Sequence, residues 1–128
     1  MSEPIHFSLA FDATPERVYS ALTESGQFTK MTGAPAAIGT EAGAPFSCFG
    51  GMIAGRQVEL VPNERIVQAW RVGNWAPGTY SIVRFQLNAQ AGGTGLEFDH
   101  VGFPAEDREH LESGWNANYW EPLRKHLG

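Results

Sequence analysis

Residues 81–127 read SIVRFQLNAQAGGTGLEFDHVGFPAEDREHLESGWNANYWEPLRKHL, and the hydrophobic period changes inside that stretch from two to about four. In its first part Val83, Phe85 and Leu87 share one face of a strand from Ser81 to Asn88. Leu96, Phe98 and His100 share one face of a second, from Thr94 to Val101. The linking Gln90-Ala91-Gly92-Gly93 supplies glycines for the positive φ of a tight hairpin turn. Glu97 and Asp99 fall on the opposite face, toward water. From Pro104 to about Leu127, the residues Leu111, Trp115, Tyr119, Leu123 and Leu127 recur every four positions, which predicts one helix of about 35 Å. Glu106 and Asp107 in its first turn, and Arg124, Lys125 and His126 in its last, complement the helix dipole. Pro122 lacks the N–H that would reach the carbonyl of Asn118, so a kink is expected there. A long helix following antiparallel hairpins gives an α+β fold, with the sheet burying one face against that helix.

Working back toward the N-terminus, Arg56 to Val61 and Ile66 to Val72 form another hairpin around Pro62-Asn63-Glu64-Arg65, a turn-forming tetrapeptide. Residues 32 to 55 are rich in Gly, Pro and Ala, with apolar pieces at Ala37-Ile38 and Phe46 to Phe49 that read as two short strands. Thr14 is an N-cap with Pro15 at the first helical position, giving a short helix over 15 to 22 stapled by Ala13 and Val18. Gly26 is expected to divide it from a second helical turn carrying Phe28 and Met31. Ile5, Phe7, Leu9 and Phe11 alternate with small or polar residues and mark a first strand with one buried face.

Composition bounds the function. A chain of 128 residues, 42% hydrophobic and 18% charged, is the size of one domain over 1–128. Its net charge of -5 and nine scattered Lys and Arg argue against a nucleic-acid partner. No apolar run approaches the roughly 20 residues of a membrane span. The N-terminal Met1-Ser2-Glu3-Pro4 has no basic region or apolar core of a secretory signal, so a cytoplasmic location is expected. Cys48 is the single cysteine, which leaves no intrachain disulfide and no cysteine-based zinc site.

Several local patterns occur in a recognisable order: Ala13-Thr14-Pro15-Glu16-Arg17-Val18-Tyr19-Ser20-Ala21-Leu22 after the first strand, Glu59-Leu60-Val61-Pro62 before a turn, and Ile66-Val67 ahead of Trp70. They continue with Gly93-Thr94 leading to His100, then Gly114-Trp115 and Asn118-Tyr119-Trp120-Glu121-Pro122-Leu123. In that order they resemble the START-like (SRPBCC) superfamily, and within it the bacterial branch similar to the activator of heat-shock-protein-90 ATPase. The resemblance implies a helix-grip (Bet v-like) fold, a curved antiparallel sheet around a long C-terminal helix with an internal apolar cavity. It also implies a chaperone partner, a role in the stress response, and a possible homodimer. The chain departs from the pattern at Phe28-Thr29-Lys30-Met31, where the family often places a Trp, and in the loop Gly73-Asn74-Trp75-Ala76-Pro77-Gly78-Thr79.

The aromatic set is the strongest functional signal. Phe46, Phe49, Trp70, Trp75, Phe85, Phe98, Phe103 and Trp115 are expected to converge between sheet and helix, where plain core and cavity lining draw on the same residue types. An empty apolar hole of about 300 Å³ would cost some 7 kcal/mol. Such a site is therefore filled by ligand, wetted by polar groups, or partly collapsed. Gln68 and His100 share strand parity with apolar neighbours, Asn118 lies beside the Trp115 stripe, and these three are the groups that would orient a ligand, while Tyr119 extends that stripe. Ligand-binding candidates are thus Phe46, Gln68, Trp70, Trp75, Phe85, Phe98, His100, Trp115, Asn118 and Tyr119. Gly114, costly by about 1 kcal/mol in mid-helix, suggests a close approach of sheet or ligand.

Catalytic constellations are weaker. Asp99 and His100 point to opposite faces of a strand and cannot act as a pair. Ser113 has no base placed beside it, and Glu106 with His110 reads as a solvated helix face rather than a metal site. Gly92-Gly93-Thr94-Gly95 joins two strands and is no phosphate loop. No cofactor, metal or catalytic group is expected. The sequence points first to a non-enzymatic carrier or sensor enclosing a small hydrophobic, lipid-like or aromatic molecule between Trp70, Phe85, Phe98 and Trp115. A cyclase- or dehydratase-type enzyme using His100 and a co-chaperone-like interaction module are the alternatives.

Overall fold

The hairpin pattern closes into one curved sheet in the computed structural model, which describes residues 3–128. Its strands are β1 (Ile5–Phe11), β2 (Ala37–Ile38), β3 (Pro45–Cys48), β4 (Ile53–Val61), β5 (Arg65–Val72), β6 (Ser81–Gln90) and β7 (Gly93–Val101). Every neighbouring pair is antiparallel, in the order β1-β7-β6-β5-β4-β3-β2. The first strand thus returns beside the last. Register explains the buried face: Phe7 pairs Phe98, Phe98 pairs Phe85 and Phe85 pairs Ile66, so one row of large side chains crosses four strands. On the opposite face a row of charges runs from His6 to Asp99 to Arg84. Asp99 lies 2.8 Å from His6 Nδ1 and 2.7 Å from Arg84 Nη2.

Between β1 and β2 lie α1 (Pro15–Thr23) and α2 (Ser25–Thr32). The Thr14 hydroxyl accepts a hydrogen bond from the Arg17 N–H at 3.2 Å, the expected N-cap. The break between the helices falls at Glu24, in extended conformation, and not at Gly26, which sits inside the first turn of α2. The reason is that one extended residue suffices to redirect the chain, so glycine is not required there. In the β6–β7 turn only Ala91 and Gly92 lie outside the strands, with Gly92 at φ 83°. Arg65 belongs to β5 rather than to the turn before it, where Asn63 takes φ 62°. Likewise β3 stops at Cys48. Phe49, Gly50 and Gly51 form a tight turn, all at positive φ (54°, 65° and 96°).

The C-terminal helix differs in detail from the single rod expected from Pro104. A short turn at Ala105–Asp107 leads into α3 (Arg108–Trp115), a π turn over Asn116–Trp120, and α4 (Glu121–Leu127). The Glu121 N–H bonds the Asn116 carbonyl, five residues back. The wide turn sits directly before Pro122. It takes up the disturbance that Pro122, now in the first turn of α4 where its missing N–H is harmless, would otherwise cause within an α-helix. Widening the turn also lets consecutive residues Tyr119 and Trp120 both face the sheet and be buried. Arg124 then fastens the helix, donating to the Ala10 carbonyl at 2.8 Å and lying over the Phe11 ring. Among the described residues no helix is long and apolar enough to cross a membrane.

Candidate ligand cleft

Trp115 is the hub between helix and sheet. Its ring centroid lies 4.3 Å from Phe98, 5.3 Å from Trp70, 6.1 Å from Phe85 and 4.3 Å from Tyr119. Phe85 and Phe98 are 5.0 Å apart. The space expected to hold a ligand between Trp70, Phe85, Phe98 and Trp115 is therefore filled by the rings themselves. Trp120 adds to the filling at 5.1 Å from Phe98 and 5.7 Å from Phe7. Sequence reasoning left Trp120 out of the core because a regular helix would carry it away from the Trp115 stripe. Only the proline two residues on hinted at an irregular turn.

A cleft of about 270 Å³ opens beside this packed block. One wall is the helix, through His110, Leu111, Gly114, Trp115, Asn118 and Tyr119. Facing it are Trp70 and Val72 of β5, together with Phe49 and Met52 of the β3–β4 turn and Ile53, which opens β4. Of the ten residues proposed from sequence, Trp70, Trp115, Asn118 and Tyr119 come together here. Met52, which no sequence pattern singled out, is 63% exposed at the rim. Gly114 marks open space: a Cβ there would meet only the Asn118 amide nitrogen, at 3.7 Å. Hence no strand presses on Gly114, and its missing side chain widens the cleft.

The other candidates have different surroundings. Phe46 borders a shallow groove with Ile38 and Pro45. Gln68 donates its amide N–H to Gln57 Oε1 at 3.1 Å, and Gln57 donates in turn to the Gly39 carbonyl. Trp75 packs on Trp70 at 5.9 Å and donates its indole N–H to Asp107 Oδ2 at 2.8 Å, tying the 73–79 loop to the start of the helix. Arg71 holds the same loop by its carbonyls at Trp75, Ala76 and Thr79.

His100 is fully buried and both ring nitrogens are engaged. The Trp115 indole N–H donates to Nδ1 at 3.0 Å, so the neutral ring carries its proton on Nε2 and donates to Ser81 Oγ at 2.7 Å. The Ser81 hydroxyl then donates to the Trp70 carbonyl. Burial drives the His100 pKa down to about 3. Every polar atom of this chain of bonds has a partner, which is what a structural histidine looks like. Asp99 faces the other way, as strand parity required.

The titratable groups buried around Tyr119 are neutral. Burial pushes the Cys48 thiol up to about 12 and the Tyr119 phenol well above its ordinary range, with Cys48 nearby adding to the second shift. The Trp70 indole N–H lies close enough to the Tyr119 hydroxyl to oppose that shift slightly, yet forms no hydrogen bond of good geometry. No group of three metal-ligating side chains occurs among the described residues. The arrangement can hold an apolar molecule and offer it a few uncharged hydrogen-bonding groups.

Comparison with known proteins adds a lineage to this geometry. The family described as "Activator of Hsp90 ATPase homolog 1-like protein" matches residues 12–128. The mouse activator of 90 kDa heat shock protein ATPase homolog 2 is 32% identical over 120 residues, covering 94% of this chain and 36% of the mouse protein. The human homolog 1 is 29% identical over 92% of this chain and 35% of its own length. This chain spans about a third of the length of these curated relatives. Among solved structures, an HSP90 activator from Plasmodium falciparum superposes with a TM-score of 0.91 at 25% identity, covering 98% of this chain and 96% of that one. The Aha1 dimer from Colwellia psychrerythraea shares the fold, with a TM-score of 0.83 at 21% identity and coverage of 98% and 96%.

Proposed function

The chain belongs to the activator of Hsp90 ATPase homolog 1-like family, and on that premise we propose that it is a non-enzymatic binding module whose cleft receives a small apolar molecule. The observation that carries this reading is the cleft of about 270 Å³, walled by Phe49, Ile53, Trp70, Val72, Leu111 and Trp115 beside the block of touching aromatic rings. Apolar and aromatic side chains held apart around a cleft of this size form the concave, mostly apolar surface on which small-molecule sites are built. Apolar burial would drive binding, and the preformed aromatic wall limits the entropy lost on docking. His100 as a pocket acid or base finds no support, because its nitrogens are both bonded and it does not line the cleft.

Native mass spectrometry of the freshly purified protein, followed by denaturing extraction, tests the reading. The expected result is a small apolar adduct that disappears in Gly114→Met, whose side chain fills the cleft while keeping a good helix former. An adduct retained by Gly114→Met would place the ligand elsewhere and refute the cleft.

The family match favours a second reading, docking on a chaperone ATPase, because the relatives are named as activators of the 90 kDa heat shock protein ATPase. Here the test is the ATPase rate of a purified 90 kDa heat shock protein with and without this chain. Stimulation supports the interaction role; an unchanged rate together with no detectable complex counts against it.

A further inference from the structure

The four tryptophans divide by what their indole N–H groups do. Those of Trp75 and Trp115 are bonded to Asp107 and His100. Those of Trp70 and Trp120 are buried without a partner among the described residues. Trp120 sits in the packed aromatic block, between Phe7, Phe85 and Phe98. Trp70 instead lines the cleft, and beside it lies Tyr119, also lining the cleft, whose hydroxyl is the polar group within reach of the Trp70 indole N–H. Buried donors without partners are rare, and each one calls for an explanation. The one in the cleft wall, at Trp70, has the Tyr119 hydroxyl beside it.

We infer that on ligand binding the Trp70 indole N–H and the Tyr119 hydroxyl align into a donor relay, Nε1–H to Oη and Oη–H to ligand, that selects neutral molecules carrying a hydrogen-bond acceptor such as a carbonyl oxygen. The inference rests on the reading of the cleft as a binding site and goes further by naming the chemistry of the occupant. Because Trp70 Nε1 is sealed from solvent, Tyr119 is the group that touches the ligand, and Trp70 supports it by turning the phenolic O–H toward the cleft. A chain of two such bonds is mutually strengthening in a low-dielectric site. Neutrality follows from the wall: no Lys or Arg lines the cleft and its one imidazole, His110, is solvent-exposed, so a carboxylate drawn in to Tyr119 would leave water without a buried cation to compensate it. Size follows from volume. A cleft of about 270 Å³ equals the liquid volume of about nine waters at about 30 Å³ each, which suits a single ring with a short substituent. The wall opposite carries a second sign of a functional site. Phe49 is held at φ 54°, a left-handed conformation that a bulky residue rarely adopts and that tends to persist where a ligand wall needs it.

The test compares acetophenone with cumene, which match in shape and differ by carbonyl oxygen against methyl. Binding to the full chain is read by calorimetry, and the indole N–H signals by nitrogen-15 NMR. Acetophenone is expected to bind about tenfold more tightly than cumene, the size of one net hydrogen bond, and to shift the Trp70 indole signal downfield. In Tyr119→Phe, which keeps the ring and its packing and so should fold normally, the two affinities should become equal. Trp70→Phe should reduce the preference severalfold. Benzoate, the matched anion, should bind at least tenfold more weakly than acetophenone. Equal affinities in the unmodified protein, a preference that survives Tyr119→Phe, or tighter benzoate binding would each overturn the relay while leaving an apolar cleft standing. Failure of both acetophenone and cumene to bind at millimolar concentration would overturn the cleft reading together with this inference.

Discussion

Trp115 donates its indole N–H to His100 Nδ1 at 3.0 Å, and that one bond fixes which imidazole nitrogen keeps the proton. Protonating Nδ1 would set two donors against each other in a site closed to water. The folded His100 pKa of about 3 lies below its ordinary 6.5, so between those values the unfolded chain takes up a proton that the folded chain refuses. Stability is therefore complete above about pH 6.5 and falls as pH drops toward 3, at about 1.4 kcal/mol per pH unit within that window. Urea unfolding at pH 7 and pH 5 should differ by about 2 kcal/mol from this group, and His100→Gln should show a smaller difference. By NMR the ring should not titrate above pH 4.

His6 behaves oppositely. Its hydrogen bond to Asp99, aided by Glu97, raises its pKa above 6.5. Any stability it gives is present below its unfolded pKa and is lost as pH rises through the folded value. The site is open to water, so the expected signature is an upward-shifted NMR titration that returns toward normal in Asp99→Asn, with little change in unfolding.

Gly114→Ala should stabilise the protein. The new Cβ has ordinary contact distance to Asn118, so the gain is the helix propensity of alanine over glycine, about 1 kcal/mol. Chemical denaturation checks it, and any adduct seen by native mass spectrometry should bind more weakly in the same variant.

Trp120→Ala should be among the most damaging single changes. A 2%-exposed indole wedged between Phe7 and Phe98 leaves a large hole, at a cost of about 3–5 kcal/mol. Its neighbour Asn118 is exposed, and Asn118→Ala should change thermal unfolding very little.

Thr94 offers a sharper polar test. It is fully buried in β7, and its hydroxyl donates to the Ala13 carbonyl at 2.6 Å, pinning the start of α1 to the sheet. Thr94→Val keeps the shape and strands that carbonyl, so a loss of about 1–3 kcal/mol is expected in urea titrations.

Strand parity made much of this legible. Ile5, Phe7, Val83, Phe85, Leu96, Phe98 and His100 fall on the inner face because alternation leaves no other choice. The Thr14 cap and both β-hairpins likewise follow from local chemistry. The π turn does not, because it arises from a conflict between Pro122 and two adjacent aromatic rings, and no periodicity expresses a conflict. The site was half legible for a related reason. Parity says which side chains face inward but not which of them touch one another, so Phe85, Phe98 and His100 could not be told apart from Trp70 and Tyr119. Phe49 and Met52 sit in a turn, outside any repeating pattern.

The loop from 73 to 79 gives the cleft a direction. One guanidinium, that of Arg71, clasps three carbonyls of the loop, and Trp75 latches it to Asp107 where the helix begins. The β5 jaw and the helix jaw are thereby bolted to each other at one end. The third side is the Phe49-Gly50-Gly51 turn, followed by the exposed Met52. The end of the cleft away from that bolt is bordered by the exposed Met52, so on the reading proposed above that methionine would be the doorpost of the site.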